Sequence, residues 1–169
     1  RQSAVGPPRA VLDVGCGTGV LLPAILEEFP EAGCVVEADF ALAMLQENAR
    51  KVQRRGVHRV CADAAALPAA AGQFDLVLCF GILPHLADGR AALAEWLRVL
   101  KPGGALAVGH LSGSRELNAL HGSLDGPVSN DVLPDSGSLA CALTQAGAVN
   151  VAAEEDSGWY FVRAEKPAA

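Results

Sequence analysis

The chain alternates between short, nearly continuous apolar runs and stretches where apolar residues recur at helical spacing. Ala10 to Val14 is the first run and reads as a buried strand carrying one acid, Asp13. Leu22, Ile25, Leu26 and Phe29 then fall at i, i+3, i+4 and i+7, which predicts a helix, with Pro23 tolerated in its first turn. Cys34 to Ala38 predicts a second strand, and Leu42, Leu45, Ala49 and Val52 mark a second helix. Val57 to Ala62 and Phe74 to Phe80 predict strands three and four. Leu93, Trp96, Leu97 and Leu100 repeat the helical spacing. Pro102-Gly103-Gly104 is expected to stop that helix and turn the chain into a fifth strand, Ala105 to Gly109.

Strands alternating with helices imply a parallel sheet covered on both faces, a three-layer αβα doubly wound architecture. Ligands of such sheets bind outside the carboxyl ends of the strands. The candidate positions are therefore Gly15 to Gly19, Ala38 to Phe40, Ala62 to Ala64, Cys79 to His85, and the segment after Gly109. The last third differs. His110 to Asp135 is long, polar and rich in Gly, Ser and Asn, a kind of segment that is often functional. A helix with Leu139 and Leu143 on one face follows, with Gly147 as its stop. Two short strands near Val149 to Ala153 and Trp159 to Ala164 close the chain.

Composition narrows the function classes. The 169 residues suit a single domain, 1–169, with a sizeable core, and 51% of them are apolar. A net charge of −6 argues against a nucleic-acid backbone or an anionic membrane as main partner. The short basic cluster Arg50, Lys51, Arg54 and Arg55 reads as a solvated helix face. Five cysteines, Cys16, Cys34, Cys61, Cys79 and Cys141, form no CxxC pair, which suits a reduced, cytoplasmic chain. No signal peptide opens the sequence and no apolar run is long enough to span a bilayer. The oligomeric state is open, with a homodimer among the options.

The stretch VLDVGCGTGV carries the sharpest chemical signal. Gly15, Gly17 and Gly19 read G-x-G-x-G, whereas a dinucleotide loop reads G-x-G-x-x-G. Asp13, two residues before the first glycine, suits a ligand's ammonium better than a pyrophosphate. Asp39 ends the second strand about twenty residues past the loop, where an acid can accept both hydroxyls of a ribose. Phe40 can lie against a purine, and Asp63, ending the third strand, can accept from an exocyclic amine. Each acid alone also reads as a helix cap or solvated turn. Three acids at three adjacent strand ends form a pattern.

VLDVGCGTG, EADFALAML, CADAAALPAAAGQFDLVLCFGILPHL and LRVLKPGG, in this order, resemble the motifs of class I S-adenosylmethionine-dependent methyltransferases of the small-molecule group similar to ubiquinone and menaquinone C-methyltransferases. The resemblance runs from about Ala10 to His110. It implies a Rossmann-like sheet of order 3-2-1-4-5-7-6, mostly parallel with an antiparallel C-terminal strand. It implies that Asp13 and the backbone of Gly15, Cys16 and Gly17 hold the methionine end, with Gly19 completing the loop. The resemblance further implies that Asp39 takes the ribose hydroxyls, that Phe40 and Met44 flank the adenine, and that Asp63 takes its amino group while the Ala64 N–H faces the ring. The backbone of Cys79 and Phe80 lies by the methionine amine and the sulfonium. Two departures stand out. Family members carry helices before the first strand that help cover cofactor and substrate, and this sequence is expected to lack that capping segment. Glu37 precedes the strand-end acid at a position often apolar, as a solvated edge charge or a competitor for the ribose.

In that chemistry the methyl is already activated, so positioning supplies most of the catalysis, and a base serves only an acceptor that must lose a proton. Candidate bases follow the fourth and fifth strands: His85 and His110 first, then His121, Asp125, Asp131 and Tyr160. His121 sits in an amphipathic stretch that reads as surface. The spacing of His85, His110, His121 and Asp125 is not a metal motif, so no metal is expected. The stretch CFGI after the fourth strand departs from the Asn/Asp-Pro-Pro-Tyr/Phe of DNA amino-methyltransferases. No Pro-Cys pair occurs as in cytosine-C5 enzymes, and no Glu lies between Asp75 and Glu95 as protein arginine methyltransferases require. A small-molecule acceptor remains, partly apolar, against walls of Phe80, Ile82, Leu83 and Leu86. The expectation is thus a small-molecule methyltransferase that uses S-adenosylmethionine and leaves S-adenosylhomocysteine. The alternatives are a non-catalytic cofactor-binding protein or partner subunit of the same fold, and an NAD-type oxidoreductase, which the glycine spacing disfavours.

Overall fold

The computed structural model describes residues 6–168. Seven strands form one sheet: β1 (Ala10–Val14), β2 (Cys34–Asp39), β3 (Val57–Cys61), β4 (Phe74–Phe80), β5 (Leu100–His110), β6 (Val149–Glu155) and β7 (Tyr160–Glu165). Their spatial order is β3-β2-β1-β4-β5-β7-β6, with β7 antiparallel to both β5 and β6 and the other pairs parallel. The order reverses between β1 and the β4 beside it, so the crevice at the carboxyl ends of these strands is the topological switch point.

The helices are α1 (Leu22–Glu28), α2 (Leu42–Lys51), α3 (Gly89–Val99), α4 (Ser114–Gly122) and α5 (Ser136–Gln145). Strand periodicity sorts the core into two layers. Val11 and Val35 meet Leu22 and Ile25 of α1 on one face. On the other, Leu12, Val14, Val77 and Val108 pack against Trp96 and Leu97 of α3, Leu117 of α4 and Leu143 of α5. The cap residues are legible. Asp88 accepts from Ala91 N at 2.9 Å to start α3, and Asp135 accepts from Ser138 N at 2.9 Å to start α5. Gly147, at φ +94°, ends α5 as expected.

Two expectations change. Pro102-Gly103-Gly104 does not stop a helix; α3 has ended at Val99, and the triplet lies inside β5. There the register with β4 slips, from Phe74 opposite Leu100 to Leu76 opposite Ala105. A proline without an N–H and Gly103 at φ +76° suit such a bulge, which the Gly103 N–H secures on the Lys166 carbonyl at 3.0 Å. Arg50 and Lys51 belong to α2, whereas Arg54 and Arg55 lie past its end, and all four are exposed. Among the described residues no helix is long and apolar enough to cross a membrane.

Candidate functional site

The glycine loop leaves β1 with its three glycines in the left-handed region, Gly15 at φ +71°, Gly17 at +53° and Gly19 at +79°. The loop is folded against β2: the Gly15 and Cys16 N–H groups donate to the Ala38 carbonyl at 2.7 and 3.2 Å. The Ile82 side chain, in the turn after β4, packs on Gly15, and a Cβ there would overlap Ile82 Cγ2. Gly15→Ala therefore combines backbone strain with overlap. It should cost about 2 kcal/mol or more of stability, read as a lower urea midpoint; an unchanged midpoint would contradict this packing.

Asp39 ties the loop to the neighbouring strand end. Its Oδ2 accepts from Gly17 N at 2.8 Å and its Oδ1 from Ala41 N at 2.8 Å, and it stays half-exposed at the crevice. Phe40 beside it is 80% exposed, and Met44, on α2, is also exposed. At the next strand end the exposed Asp63 accepts from Ala65 N at 2.8 Å, and Trp96 Nε1 donates to the Ala64 carbonyl at 3.0 Å, which fixes that turn. At β4 the Cys79 side chain is buried, while Phe80 leads into Gly81, at φ +75°, whose N–H donates to Gly109 O at 3.0 Å. All the residues expected to hold a nucleotide except Met44 lie on or just after the carboxyl ends of β1, β2, β3 and β4; Met44 is on α2.

Asp13 lies under the loop, 1% exposed, with Oδ2 lacking any hydrogen-bond partner. Burial, and then the charges of Glu37 and Asp39, push its carboxyl up to about 8. Glu37 is not a solvated edge charge: it is fully buried opposite Asp13 in the β1–β2 register. The β2–β3 register places Arg59 on its other side, with Arg59 Nε 3.5 Å from Glu37 Oε2 and donating to Asn48 Oδ1 at 2.7 Å. Asn48 in turn packs against Gly19 and Cys16. This buried polar row supports the loop from below and leaves the crevice itself to Asp39. Burial raises the Cys16 and Cys79 thiols, so neither is a nucleophile.

Three imidazoles converge beyond β4 and β5. His85, in the 3-10 turn Leu83–His85, places Nδ1 2.6 Å from Asp131 Oδ2. His121 is 7% exposed, correcting its reading as surface, and its ring centroid lies 5.4 Å from that of His85. His110 Nδ1 accepts from Ser112 N at 3.2 Å, and burial, reinforced by His121 and His85, lowers its pKa. No group of three or more His, Cys, Asp or Glu able to hold a metal occurs among the described residues. Asp125 is exposed, and Tyr160 is buried with its hydroxyl unpartnered and its pKa raised by burial.

The expected apolar wall divides. Phe80 lines a hollow of about 290 Å³ with Leu21, His110, Leu111, Trp159 and Phe161. Leu83 and Leu86 instead face a separate cavity beside α3 and α5, and Ile82 covers Gly15.

A family profile described as "Methyltransferase domain" matches residues 11–104, from β1 to the bulge in β5. The chain belongs to this methyltransferase family. The domain is 42% identical over 113 residues to a demethylmenaquinone methyltransferase of Corynebacterium urealyticum, covering 66% of this chain and 46% of that protein. It is 34% identical over 151 residues to a malonyl-[acyl-carrier protein] O-methyltransferase of Laribacter hongkongensis, covering 83% and 50%. The chain thus spans about half the length of the curated relatives it matches. A SAM-dependent methyltransferase from Aquifex aeolicus shares the fold at a TM-score of 0.74 and 21% identity, over 94% of this chain and 82% of that one. In the methyltransferase domain the family match covers the glycine loop, Asp39, Asp63 and His85 but stops before His110, His121 and Asp131.

Proposed function

We propose that this methyltransferase domain binds S-adenosylmethionine in the crevice and moves its methyl group to a small-molecule acceptor. The observation that carries the reading is the junction of the left-handed glycine loop with Asp39, whose carboxylate reaches Gly17 from the neighbouring strand end. The loop has no Cβ where a ligand approaches, and the orphaned Asp13 Oδ2 lies beneath it, so the donor set fits a ligand bearing an ammonium and a ribose. When bound, S-adenosylmethionine supplies an activated methyl for in-line displacement, the S–CH₃ bond breaking with its electron pair kept by sulfur to leave S-adenosylhomocysteine.

This chain's residues bind and orient. Asp39 takes the ribose hydroxyls; Phe40 and Met44 flank the adenine; Asp63 and the Ala64 N–H read its edge. Asp13, Gly15, Cys16, Gly17 and Gly19 hold the methionine end, with the backbone of Cys79 and Phe80 beside it. The acceptor enters the hollow at Phe80, Trp159 and Phe161, where an aromatic ring stacks well. The relatives' names favour a quinone-like aromatic acceptor, with an acyl carboxylate methylated on oxygen as the other type. His85 and His110 are the proton-handling residues. His85→Ala should leave S-adenosylhomocysteine affinity within about twofold and lower kcat about 100-fold, assayed with methyl-labelled S-adenosylmethionine. Equal loss of affinity and turnover would assign His85 to structure instead. The domain is expected in the cytoplasm.

A further inference from the structure

The polar stretch after His110 contains a built device. Leu117 on α4 is buried in the core, and two residues on the helix, Asn118 and His121, hold the segment that follows it. Asn118 Oδ1 accepts from Leu133 N at 2.8 Å, and its Nδ2 donates to Leu133 O at 2.9 Å. His121 Nδ1 donates to the Asp131 carbonyl at 2.9 Å. The N-terminus of α4 is itself fixed, because Ser114 N and Oγ both donate to Glu155 of β6. The result is that Asp131, 46 residues from His85, is clamped with its carboxylate on His85 Nδ1.

We propose that Asp131 is a positioning residue that sets His85 as a base, and that the acceptor is therefore one with an acidic hydroxyl, a phenol or enol. This rests on the cofactor reading above. An ionised carboxylate only accepts hydrogen bonds, so His85 carries its neutral-state proton on Nδ1 and its lone pair on Nε2. His110 is the opposite tautomer: Nδ1 accepts from Ser112 N, so in the neutral form Nε2 carries the proton, and its lowered pKa favours that neutral form. One imidazole offers a lone pair and its neighbour an N–H. That pair suits an acceptor that gives a hydroxyl proton to His85 Nε2, keeps the O–H electron pair on oxygen, and accepts from His110 through a second oxygen. An acceptor already ionised at neutral pH, such as a carboxylate, has no use for the arrangement, since its oxygen attacks without prior proton loss.

The test has two arms on the full chain. Nitrogen-15 NMR of the histidine rings, without cofactor, reads the His85 tautomer. The expected result is an Nδ1-bound proton in the wild type, lost in Asp131→Ala. With 1,4-dihydroxynaphthalene as acceptor, Asp131→Ala should lower kcat at least about 30-fold with the KM for S-adenosylmethionine unchanged, and Asp131→Glu should regain at least about tenfold. An Nε2-bound proton on wild-type His85, or Asp131→Ala turning over this probe at the wild-type kcat, would overturn the proposal. Because the tautomer is read without cofactor, a failure to bind S-adenosylhomocysteine counts against the cofactor reading and not against the dyad.

Discussion

Asp39→Ala should weaken S-adenosylhomocysteine binding by about 100-fold or more. The carboxylate has two tasks at one place. It accepts from Gly17 N and Ala41 N, each at 2.8 Å, and so shapes the loop; in the proposed site it also presents the charge to which two ribose hydroxyls would bond. A charge-assisted hydrogen bond contributes about 1.5–3 kcal/mol, so losing two in a half-buried crevice accounts for the whole factor. Asp39→Asn keeps the shape and an acceptor oxygen but loses the charge, and should fall between the wild type and the alanine variant. Calorimetric titration of the three proteins checks the order. Wild-type affinity in Asp39→Ala would remove the ribose from this strand end.

Asp13→Asn should stabilise the ligand-free domain at pH 8 and not at pH 4. Burial is the main cause of the raised Asp13 carboxyl, at about 8, with Glu37 and Asp39 adding to it. In the unfolded chain the same carboxyl titrates near about 4. Between those two values the folded domain holds a proton that the unfolded chain has released, so stability falls as pH rises through the window. Arg59, paired with Glu37 and Asn48, is the positive group on this face, and its attraction is spent on Glu37. Asparagine has the shape of the protonated acid and no proton to lose. The gap between variant and wild type should therefore open from near zero at pH 4 to as much as about 5 kcal/mol at pH 8. In a domain of this size that is a Tm difference of roughly 10–20 °C at pH 8. A difference that does not change with pH would mean that Asp13 titrates alike in the folded and unfolded chain. The same physics couples Asp13 to the ligand: an ammonium near Oδ2 favours the ionised acid, so binding near pH 7 releases a proton, measurable by titration in two buffers of different ionisation heat.

The local signals in the sequence carried most of the architecture. Five parallel strands and the helices between them follow from runs and i, i+3, i+4 spacing, and the strand-end positions of Gly15 to Gly19, Asp39 and Asp63 follow from the strands. What was not legible depends on neighbours distant in sequence. Glu37 reads as an edge charge until the register places it between Asp13 and Arg59. Pro102-Gly103-Gly104 carries the composition of a helix stop, and only pairing with β4 and Lys166 makes it a bulge. His121 sits on an amphipathic helix whose polar side is covered by the returning segment at Asp131 and Leu133, so its burial has no local signature. The His85–Asp131 pair spans 46 residues and is invisible to any spacing rule. Asp131 reads as a candidate base in the sequence, and its link to His85 is visible only in the fold.

The loop from Gly15 to Gly19, closed by Asp39, is proposed as a site for S-adenosylmethionine and not for a dinucleotide. Calorimetric titration of the purified chain with S-adenosylhomocysteine, with NAD as control, separates the two. The expected result is saturable one-to-one binding of S-adenosylhomocysteine and none of NAD. A folded chain that binds NAD, or that binds neither ligand, would contradict it.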